Sequence, residues 1–307
     1  MSGSASPPTF KPSPGMTLLL SGSAGILGWL PVHPFDVLKI RMQLNAEGGG
    51  TKLYKNSVDA VAKIFKTEGL WGLYSGLSAG ITRQATYTTL RGGLYQILRD
   101  RYTVPGANPT VAVKLGCGLT SGAIASVVCC PVEVSLVRMQ ADGRLPVAER
   151  RGYTNVFNAL YRIAKEEGIL TCWRGSTPTV ARAMVVNMVQ FGSYDQAKEV
   201  LMAMTPLKGV GLHFSASLIS GFTYSAASLP FDIAKTRMQN QKTPAGEIPQ
   251  YRNIFQTMWR IGSLEGPLSL WKGFWPYFGR GGGHSIFMFL WLEQLKLLAH
   301  RAGTYAL

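Results

Sequence analysis

The chain has 307 residues and a formal net charge of +15, from 31 Lys and Arg against 16 Asp and Glu. Its length would allow two soluble domains, and its charge would suit nucleic-acid binding. The basic residues do not cluster as a stripe, however, and no zinc-finger, homeodomain or RNP motif is present, so we expect no nucleic-acid partner. The four cysteines show no CxxC pair and no Cys/His spacing of a metal site, and we interpret them as small apolar packing residues: Cys117, Cys129, Cys130 and Cys172.

Three segments lack Asp, Glu, Lys and Arg and are long enough to cross a membrane as helices. After a Pro/Ser-rich N-terminal tail over 1–15, they occupy 16–35, 115–132 and 209–231. They are rich in Gly, Ser and Ala, as tightly packed membrane helices are. The tail has one Lys and no Arg, which is not typical of a transit peptide or signal sequence.

A proline and a cluster of charges close each of these segments. The three clusters read HPFDVLKIRMQ, CPVEVSLVRMQ and LPFDIAKTRMQ, with their prolines at 34, 131 and 230. A period of about one hundred residues predicts three equivalent units. We place the repeats at 16–104, 105–205 and 206–302, followed by a short C-terminal tail at 303–307.

The rest of each unit also repeats. An amphipathic segment begins with an aromatic residue and Asn two positions later, and it ends at Glu-Gly (54–69, 153–168 and 251–266). This predicts a short helix stopped by glycine. A second apolar segment follows at roughly 76–98, 176–201 and 274–298. The sequence therefore predicts an all-α membrane protein with six spanning helices, two in each repeat, and a surface helix inside each repeat.

Basic residues are unequally shared between the two sides. The connections within repeats carry twelve Lys and Arg, whereas those between repeats carry Arg99, Arg101, Lys198 and Lys208. By the positive-inside rule, the three connections within repeats share one side and both termini lie on the other.

Two motifs that occur three times resemble the mitochondrial carrier family. They are Pro-x-[Asp/Glu]-x-x-[Lys/Arg]-x-[Lys/Arg] and [Asp/Glu]-Gly-x4-aromatic-[Lys/Arg]-Gly, and the likeness covers residues 16–302. The resemblance implies an exchanger of the mitochondrial inner membrane with threefold pseudosymmetry, with the amphipathic helices in the matrix and both termini toward the intermembrane space. Two positions depart from the motifs, because Leu136 and Ser75 stand where bases are expected.

A proline kinks a membrane helix, so three kinked helices around one axis would converge, and charges there would face one another rather than lipid. The family resemblance implies that these charges form a matrix gate, pairing Glu133 with Lys235 and Asp232 with Lys39. Asp36 would face Leu136 and lack an ionic partner. Glutamines one turn beyond the bases would brace the pairs: Gln43, Gln140 and Gln239. The alternative, that the clusters anchor helix ends in lipid headgroups, suits Arg41, Arg138 and Arg237.

A second set of polar residues lies at the far ends of the second, fourth and sixth of the expected spanning helices, which are the second spanning helix of each repeat. It resembles the family's cytoplasmic gate and comprises Gln96, Arg99, Asp195, Lys198, Glu293 and Lys296. Two gates that are never open together would give alternating access.

Between the gates, the second spanning helix of each repeat carries arginine and no acid. Arg83, Tyr87 and Arg91 share one helix face, and the other two helices contribute Arg182 and Arg280. Guanidinium binds carboxylate in bidentate fashion, so the expected substrate is a dicarboxylate. Neighbouring polar residues are further candidates for substrate binding: Asn187, Gln190 and His284.

Segments 83–95 and 139–160 resemble the branch of the family that exchanges 2-oxoglutarate for malate. The resemblance adds Lys114 as a candidate substrate contact. It leaves open a dicarboxylate/phosphate carrier or an uncoupling-type carrier, and a scaffold without transport is a further alternative. No catalytic triad, metal-ligand set or phosphate loop is visible, so we expect neither an enzyme nor a cofactor. The expected partners are small dicarboxylates and membrane lipids, with cardiolipin a candidate at the matrix-side helices, and a functional monomer is expected.

Overall fold

The computed structural model describes residues 14–45, 47, 52–103, 110–204, 210–242 and 248–301, and these residues form helices without any β-strand. This confirms the predicted all-α fold. The α-helices in these ranges are α1 Pro14–Trp29, α2 His33–Gln43, α3 Ser57–Gly72, α4 Leu77–Tyr102, α5 Val111–Asp142, α6 Val156–Glu167, α7 Ser176–Met204, α8 Val210–Asn240, α9 Ile254–Glu265 and α10 Phe274–Arg301.

The long helices alternate with short ones in three similar units. Each unit has a long helical rod (α1 with α2, α5 or α8), a short helix (α3, α6 or α9) and a second rod (α4, α7 or α10). Within the described ranges, one segment, Gly116–Asp142, is long and apolar enough by itself to cross a membrane. A helix such as α4 fails that test because it carries several arginines, which a helix lining a polar cavity can hold. The expectation of six spans therefore rests on the repeat pattern.

The short helices begin and end as predicted. Their N-cap asparagines, Asn56, Asn155 and Asn253, each accept a hydrogen bond from the backbone N–H three residues later. The Glu-Gly glycines that follow have φ between 68° and 92°, which ends the regular helix. Eight residues after each cap an isoleucine is 1% exposed, and these isoleucines fix the short helices to the rods: Ile64, Ile163 and Ile261.

The prolines act differently in the three units. Pro131 and Pro230 lie inside the continuous helices α5 and α8. Proline removes the N–H that would bond the carbonyl four residues earlier. In both cases a tryptophan fills that role, because Trp173 Nε1 donates to Val127 O at 3.1 Å and Trp271 Nε1 to Ala226 O at 2.9 Å.

In the first unit the rod is broken at this point. A 3-10 turn, Leu30–Val32, separates α1 from α2. Pro31 lies inside that turn and Pro34 at the start of α2, so two N–H donors are missing within four residues. Tyr74 stands where the other units have tryptophan.

The three units close into a ring. The second rod of each unit packs against the first rod of the next, as α4 with α5, α7 with α8, and α10 with α1. Glycines with positive φ make part of this approach: a Cβ at Gly175 (φ 90°) would lie 2.7 Å from Gln239 Cγ, and one at Gly273 (φ 80°) would lie 3.3 Å from Met42 Cβ. The third unit thus returns to the first, and the clusters after the prolines meet around one axis.

Candidate functional site

Two ion pairs link the charge clusters that follow the prolines. Lys39 Nζ lies 2.6 Å from Asp232 Oδ2, and Lys235 Nζ lies 2.5 Å from Glu133 Oε2. Each pair joins two different repeats, and every one of these side chains is at most 11% exposed. The structure therefore brings together both of the pairs that the sequence predicts.

The third acid is also paired, and the expectation that Asp36 lacks an ionic partner has to be corrected. Arg280 Nε lies 3.3 Å from Asp36 Oδ1, and Trp29 Nε1 donates to Asp36 Oδ2 at 2.7 Å. Leu136 does occupy the position of the missing base, where it is 7% exposed. A buried carboxylate without partners is costly, so other groups supply the contacts that a lysine makes in the other two repeats.

The three arginines predicted to bind substrate converge on these same acids. Arg83 Nη1 lies 3.6 Å from Glu133 Oε1, and Arg182 Nε lies 3.5 Å from Asp232 Oδ1. With Arg280 on Asp36, each arginine contacts a different acid. Each acid therefore has a second partner besides its arginine. This partner is Lys235 for Glu133, Lys39 for Asp232 and Trp29 for Asp36.

A cavity contains this network. Its lining comprises Asp36, Lys39, Ile40, Arg83, Glu133, Leu136, Val137, Gln140, Arg182, Asp232, Lys235, Thr236, Gln239 and Arg280. Five bases against three acids leave an excess of two positive charges, which is complementary to a dianion.

Comparisons with known proteins decide the family. The family model described as "Mitochondrial carrier protein" matches residues 10–105, 107–205 and 208–303. The chain belongs to the mitochondrial carrier family. Among its relatives are proteins named mitochondrial 2-oxoglutarate/malate carrier protein. The one from Homo sapiens is 50% identical over 91% of this chain and 89% of its own length, and the one from Caenorhabditis elegans is 49% identical over 90% of both. Mitochondrial uncoupling protein 5 of Arabidopsis thaliana is 37% identical over 90% of this chain and 95% of its own length.

The three glutamines of the carrier differ in their contacts. Gln43 Nε2 donates to Asp232 Oδ2 at 2.7 Å, and its Oε1 accepts from Thr236 Oγ1 at 2.7 Å, so Gln43 braces the Lys39–Asp232 pair. Gln140 Nε2 and both side-chain polar atoms of Gln239 are buried without a hydrogen-bond partner in the described part of the chain. The structure therefore shows one brace where the sequence predicts three.

The second base of each motif anchors the carrier's rods to its short helices rather than to lipid. Arg41, Arg138 and Arg237 are fully buried, which corrects the alternative of headgroup anchoring. Each makes a bidentate contact with the glutamate that ends the short helix of its own repeat: Arg41 with Glu68, Arg138 with Glu167 and Arg237 with Glu265.

Each of these arginines also reaches the next repeat. Its Nε donates to the backbone carbonyl of the glutamine there: Gln140, Gln239 and Gln43 respectively. At the end of α9, burial raises the pKa of Glu265, but hydrogen bonds from Arg237 and Lys272 outweigh this effect and leave the pKa below its ordinary value. The glutamate therefore stays ionised, and each arginine joins the short helix of its own repeat to the next repeat.

Three of the other predicted substrate residues do not line the cavity that contains the arginines. Tyr87 and His284 are half-buried and Arg91 is exposed, and none of them is a lining residue. The side chains of Lys114, Asn187 and Gln190 lie outside the described residues. The structure thus brings the three arginines together without Tyr87, Arg91 and His284.

No ion pair joins different repeats among the described side chains of the predicted cytoplasmic gate. Arg99 pairs with its neighbour Asp100 at 2.8 Å, and no ion pair joins Arg99 to Glu293, whose side chain is also described. Lys198 and Lys296 are half-buried and Gln96 likewise, while the side chain of Asp195 lies outside the described residues. Joined charge clusters at one end and a separated set at the other are the arrangement expected of a state that is closed at the end that carries the charge clusters.

Sequence reasoning missed a tyrosine that contacts cations of all three repeats. Tyr277 is 3% exposed, and its hydroxyl lies 3.3 Å from Arg182 Nη1 and 3.0 Å from Ser228 Oγ. Its ring lies under Lys39 Nζ (4.8 Å) and Arg280 Cζ (5.5 Å), both at cation–π distance. A signal was available, since Tyr277 lies three residues before Arg280, nearly one turn away on the same helix.

Proposed function

We propose that this carrier exchanges 2-oxoglutarate for malate, or for related dicarboxylates, across the mitochondrial inner membrane by alternating access. The observation that carries the proposal is the cavity, in which one arginine from each repeat lies beside one gate acid. The names of the relatives support the substrate pair, and the excess of two positive charges supports a dianion. The role is transport rather than catalysis.

The sharing of acids and arginines suggests how binding is coupled to the gate. A carboxylate of the substrate competes for the guanidinium of Arg83, Arg182 or Arg280, because each lies no more than 3.6 Å from an acid. When an arginine turns to the substrate, its acid loses one of its partners. This weakens the matrix gate, so binding and opening are linked through the same side chains.

We further propose the orientation that the charge distribution favours. The short helices lie on the matrix side, and both termini lie toward the intermembrane space. Large apolar residues at the ends of these helices or in the 3-10 turns that follow face outward, including Trp71, Leu170 and Leu268, each more than 80% exposed. Such residues suit the boundary of a bilayer, where phospholipids, cardiolipin among them, would contact the matrix side. The proposed functional unit is a monomer, with its three repeats at 16–104, 105–205 and 206–302.

Exchange in proteoliposomes tests the proposal. Vesicles loaded with malate should take up labelled 2-oxoglutarate, whereas vesicles without internal dicarboxylate should take up little. Unlabelled 2-oxoglutarate and malate should compete, and ADP should not. Equal uptake into empty vesicles would contradict obligatory exchange, and a preference for ADP would refute the substrate class.

A second candidate function is supported by the similarity to mitochondrial uncoupling protein 5 of Arabidopsis thaliana. Under this alternative the same cavity accepts phosphate or sulfate together with dicarboxylates, or the protein conducts protons. Competition by phosphate and sulfate, measured in the same vesicles beside 2-oxoglutarate, separates the two. A proton leak without any dicarboxylate uptake would favour the uncoupling type.

A further inference from the structure

The matrix gate has an acid without a lysine. Asp232 and Glu133 each pair with a lysine of another repeat, whereas Asp36 faces Leu136. Yet Asp36 is only 9% exposed, so its carboxylate needs partners within the protein. Arg280 takes one oxygen of that carboxylate at 3.3 Å.

The indole of Trp29 takes the other oxygen. Its Nε1 lies 2.7 Å from Asp36 Oδ2, and the tryptophan itself is 1% exposed. The two residues are seven apart, which places them on one face of the rod, two turns from each other. A tryptophan is long enough to span that separation, and the 3-10 turn between them leaves the contact intact.

The indole is fixed from two sides. A Cβ at Gly80 would lie 1.8 Å from Trp29 Cη2, so the ring packs directly on the backbone of α4 and fills the place of a side chain there. On the other side the ring of His33 meets it edge-on, with centroids 4.4 Å apart. His33 Nε2 in turn lies 3.0 Å from the backbone oxygen of Ser75. Trp29 therefore holds its N–H at one position.

The corresponding positions in the other repeats differ. Gly80 lies three residues before Arg83, where the other repeats place Thr179 before Arg182 and Tyr277 before Arg280. Thr179 Oγ1 bonds to the backbone oxygen of Gly175 in its own chain segment. The glycine that admits the indole thus occurs in the repeat whose acid has no lysine.

We propose that Trp29 is the third, uncharged partner of the matrix gate and positions Asp36 for Arg280. This proposal rests on the proposed function, since a gate matters only to a carrier that alternates. Unlike the lysine pairs, the Trp29–Asp36 contact lies within one repeat. It can persist when the repeats separate, so Asp36 keeps one partner in both states. Trp29 is a positioning residue, because it acts on substrate through Asp36 and Arg280.

The test compares Trp29→Phe in two backgrounds. Phenylalanine removes the N–H donor and also the outer ring atoms that pack on Gly80, and this packing loss is the same in both backgrounds. The difference between the backgrounds therefore reports the N–H. In the native background, Trp29→Phe should lower exchange of 2-oxoglutarate for malate about tenfold more than in a Leu136→Lys background, where the added lysine supplies Asp36; tenfold is the loss expected for one hydrogen bond to a charged group. Trp275→Phe, at a tryptophan that is 71% exposed, is the matched control.

Thermal unfolding of the purified carrier in detergent, without any dicarboxylate, repeats the comparison. Trp29→Phe should lower the melting temperature in the native background and much less in the Leu136→Lys background. Gly80→Ala, which pushes the indole off its site, should follow Trp29→Phe in both measurements.

If Trp29→Phe lowered exchange equally in both backgrounds, Trp29 would only fill space. If it lowered exchange in neither background, Trp29 would have no part in the gate. Either result would overturn the proposal. If the native carrier exchanged no dicarboxylate, the proposed function would fail while the thermal comparison still decided the role of Trp29.

Discussion

The first repeat and the other two reach the same arrangement of charges by different local structures. In α5 and α8 the helix continues through its proline, and a tryptophan donates a hydrogen bond to the backbone carbonyl that the proline leaves without a donor. In the first repeat two prolines break the rod, and a tryptophan bonds to the gate acid instead. The comparison teaches that the motif fixes where the acid lies, whereas residues outside the motif decide how the acid is satisfied.

The largest effect is expected at the arginines, and it would sharpen the comparison. Arg182→Ala and Arg280→Ala should each abolish exchange, because either change removes a carboxylate contact and leaves a buried acid with one partner fewer. Arg→Lys should also fail, since lysine cannot make a bidentate contact. Proteoliposome uptake measures this loss.

Stability should distinguish the two alanine variants. Asp232 keeps Lys39 when Arg182 is removed, but Asp36 keeps only an indole when Arg280 is removed. Arg280→Ala should therefore lower the melting temperature more than Arg182→Ala. Normal uptake by either variant would exclude that arginine from the substrate site.

The next effect concerns the lysine pairs. Lys235→Ala strands Glu133 with Arg83 alone, and breaking a buried pair costs about 3–5 kcal/mol. The variant should open more readily to the matrix, whereas Leu136→Lys should stabilise the state that is closed to the matrix. Thermal shifts with an inhibitor that traps the cytoplasm-open state measure both. Shifts in the same direction would contradict the gate.

A smaller effect is expected where tryptophan bonds to the carbonyl freed by proline. Trp173→Phe and Trp271→Phe should each cost about 1 kcal/mol of stability, because the carbonyl loses a donor at a partly exposed site. Tyr74→Phe in the first repeat should cost less, since the rod there is already broken. Thermal unfolding of the three variants checks the order, and a larger loss for Tyr74→Phe would reverse the comparison.

The smallest effect separates the glutamines. Gln43→Ala removes hydrogen bonds to Asp232 and Thr236 and should destabilise the closed gate by about 1 kcal/mol. Gln239→Ala removes a side chain whose polar atoms have no partner among the described residues, so it should cost less. The inhibitor-dependent thermal shift used for the lysine variants measures both. Equal shifts would deny Gln43 a special role as a brace.

Much of this fold was predictable because it is repeated and local. Asparagine caps and Glu-Gly stops are read within about twenty residues, and the spacing of the prolines at 34, 131 and 230 shows that the unit repeats. The structure confirms the short helices that the caps and stops predict. The pairs Lys39–Asp232 and Lys235–Glu133 followed from the order of acid and base once a family resemblance supplied the partner.

The remaining contacts depend on tertiary neighbours that no periodicity reveals. Trp29 reaches Asp36 only because Gly80 of another helix leaves room for the ring. Arg41 is buried because Glu68 lies at the end of a short helix 27 residues away, whereas a basic residue at a helix end more often reaches lipid headgroups. Tyr277 escaped notice because an aromatic residue in an apolar segment resembles ordinary core packing.

The closed ring of repeats has a consequence for asymmetry. Three separate copies joined head to tail would form a trimer in which every change occurs three times. In a homotrimer, leucine at the position of Leu136 would remove all three lysines of the gate, yet here one was lost and two were kept. A single chain can likewise place Tyr277 beside Arg182 and Trp29 beside Asp36. A ligand whose two ends differ can then be held in one orientation, which a perfectly symmetric pore could not enforce.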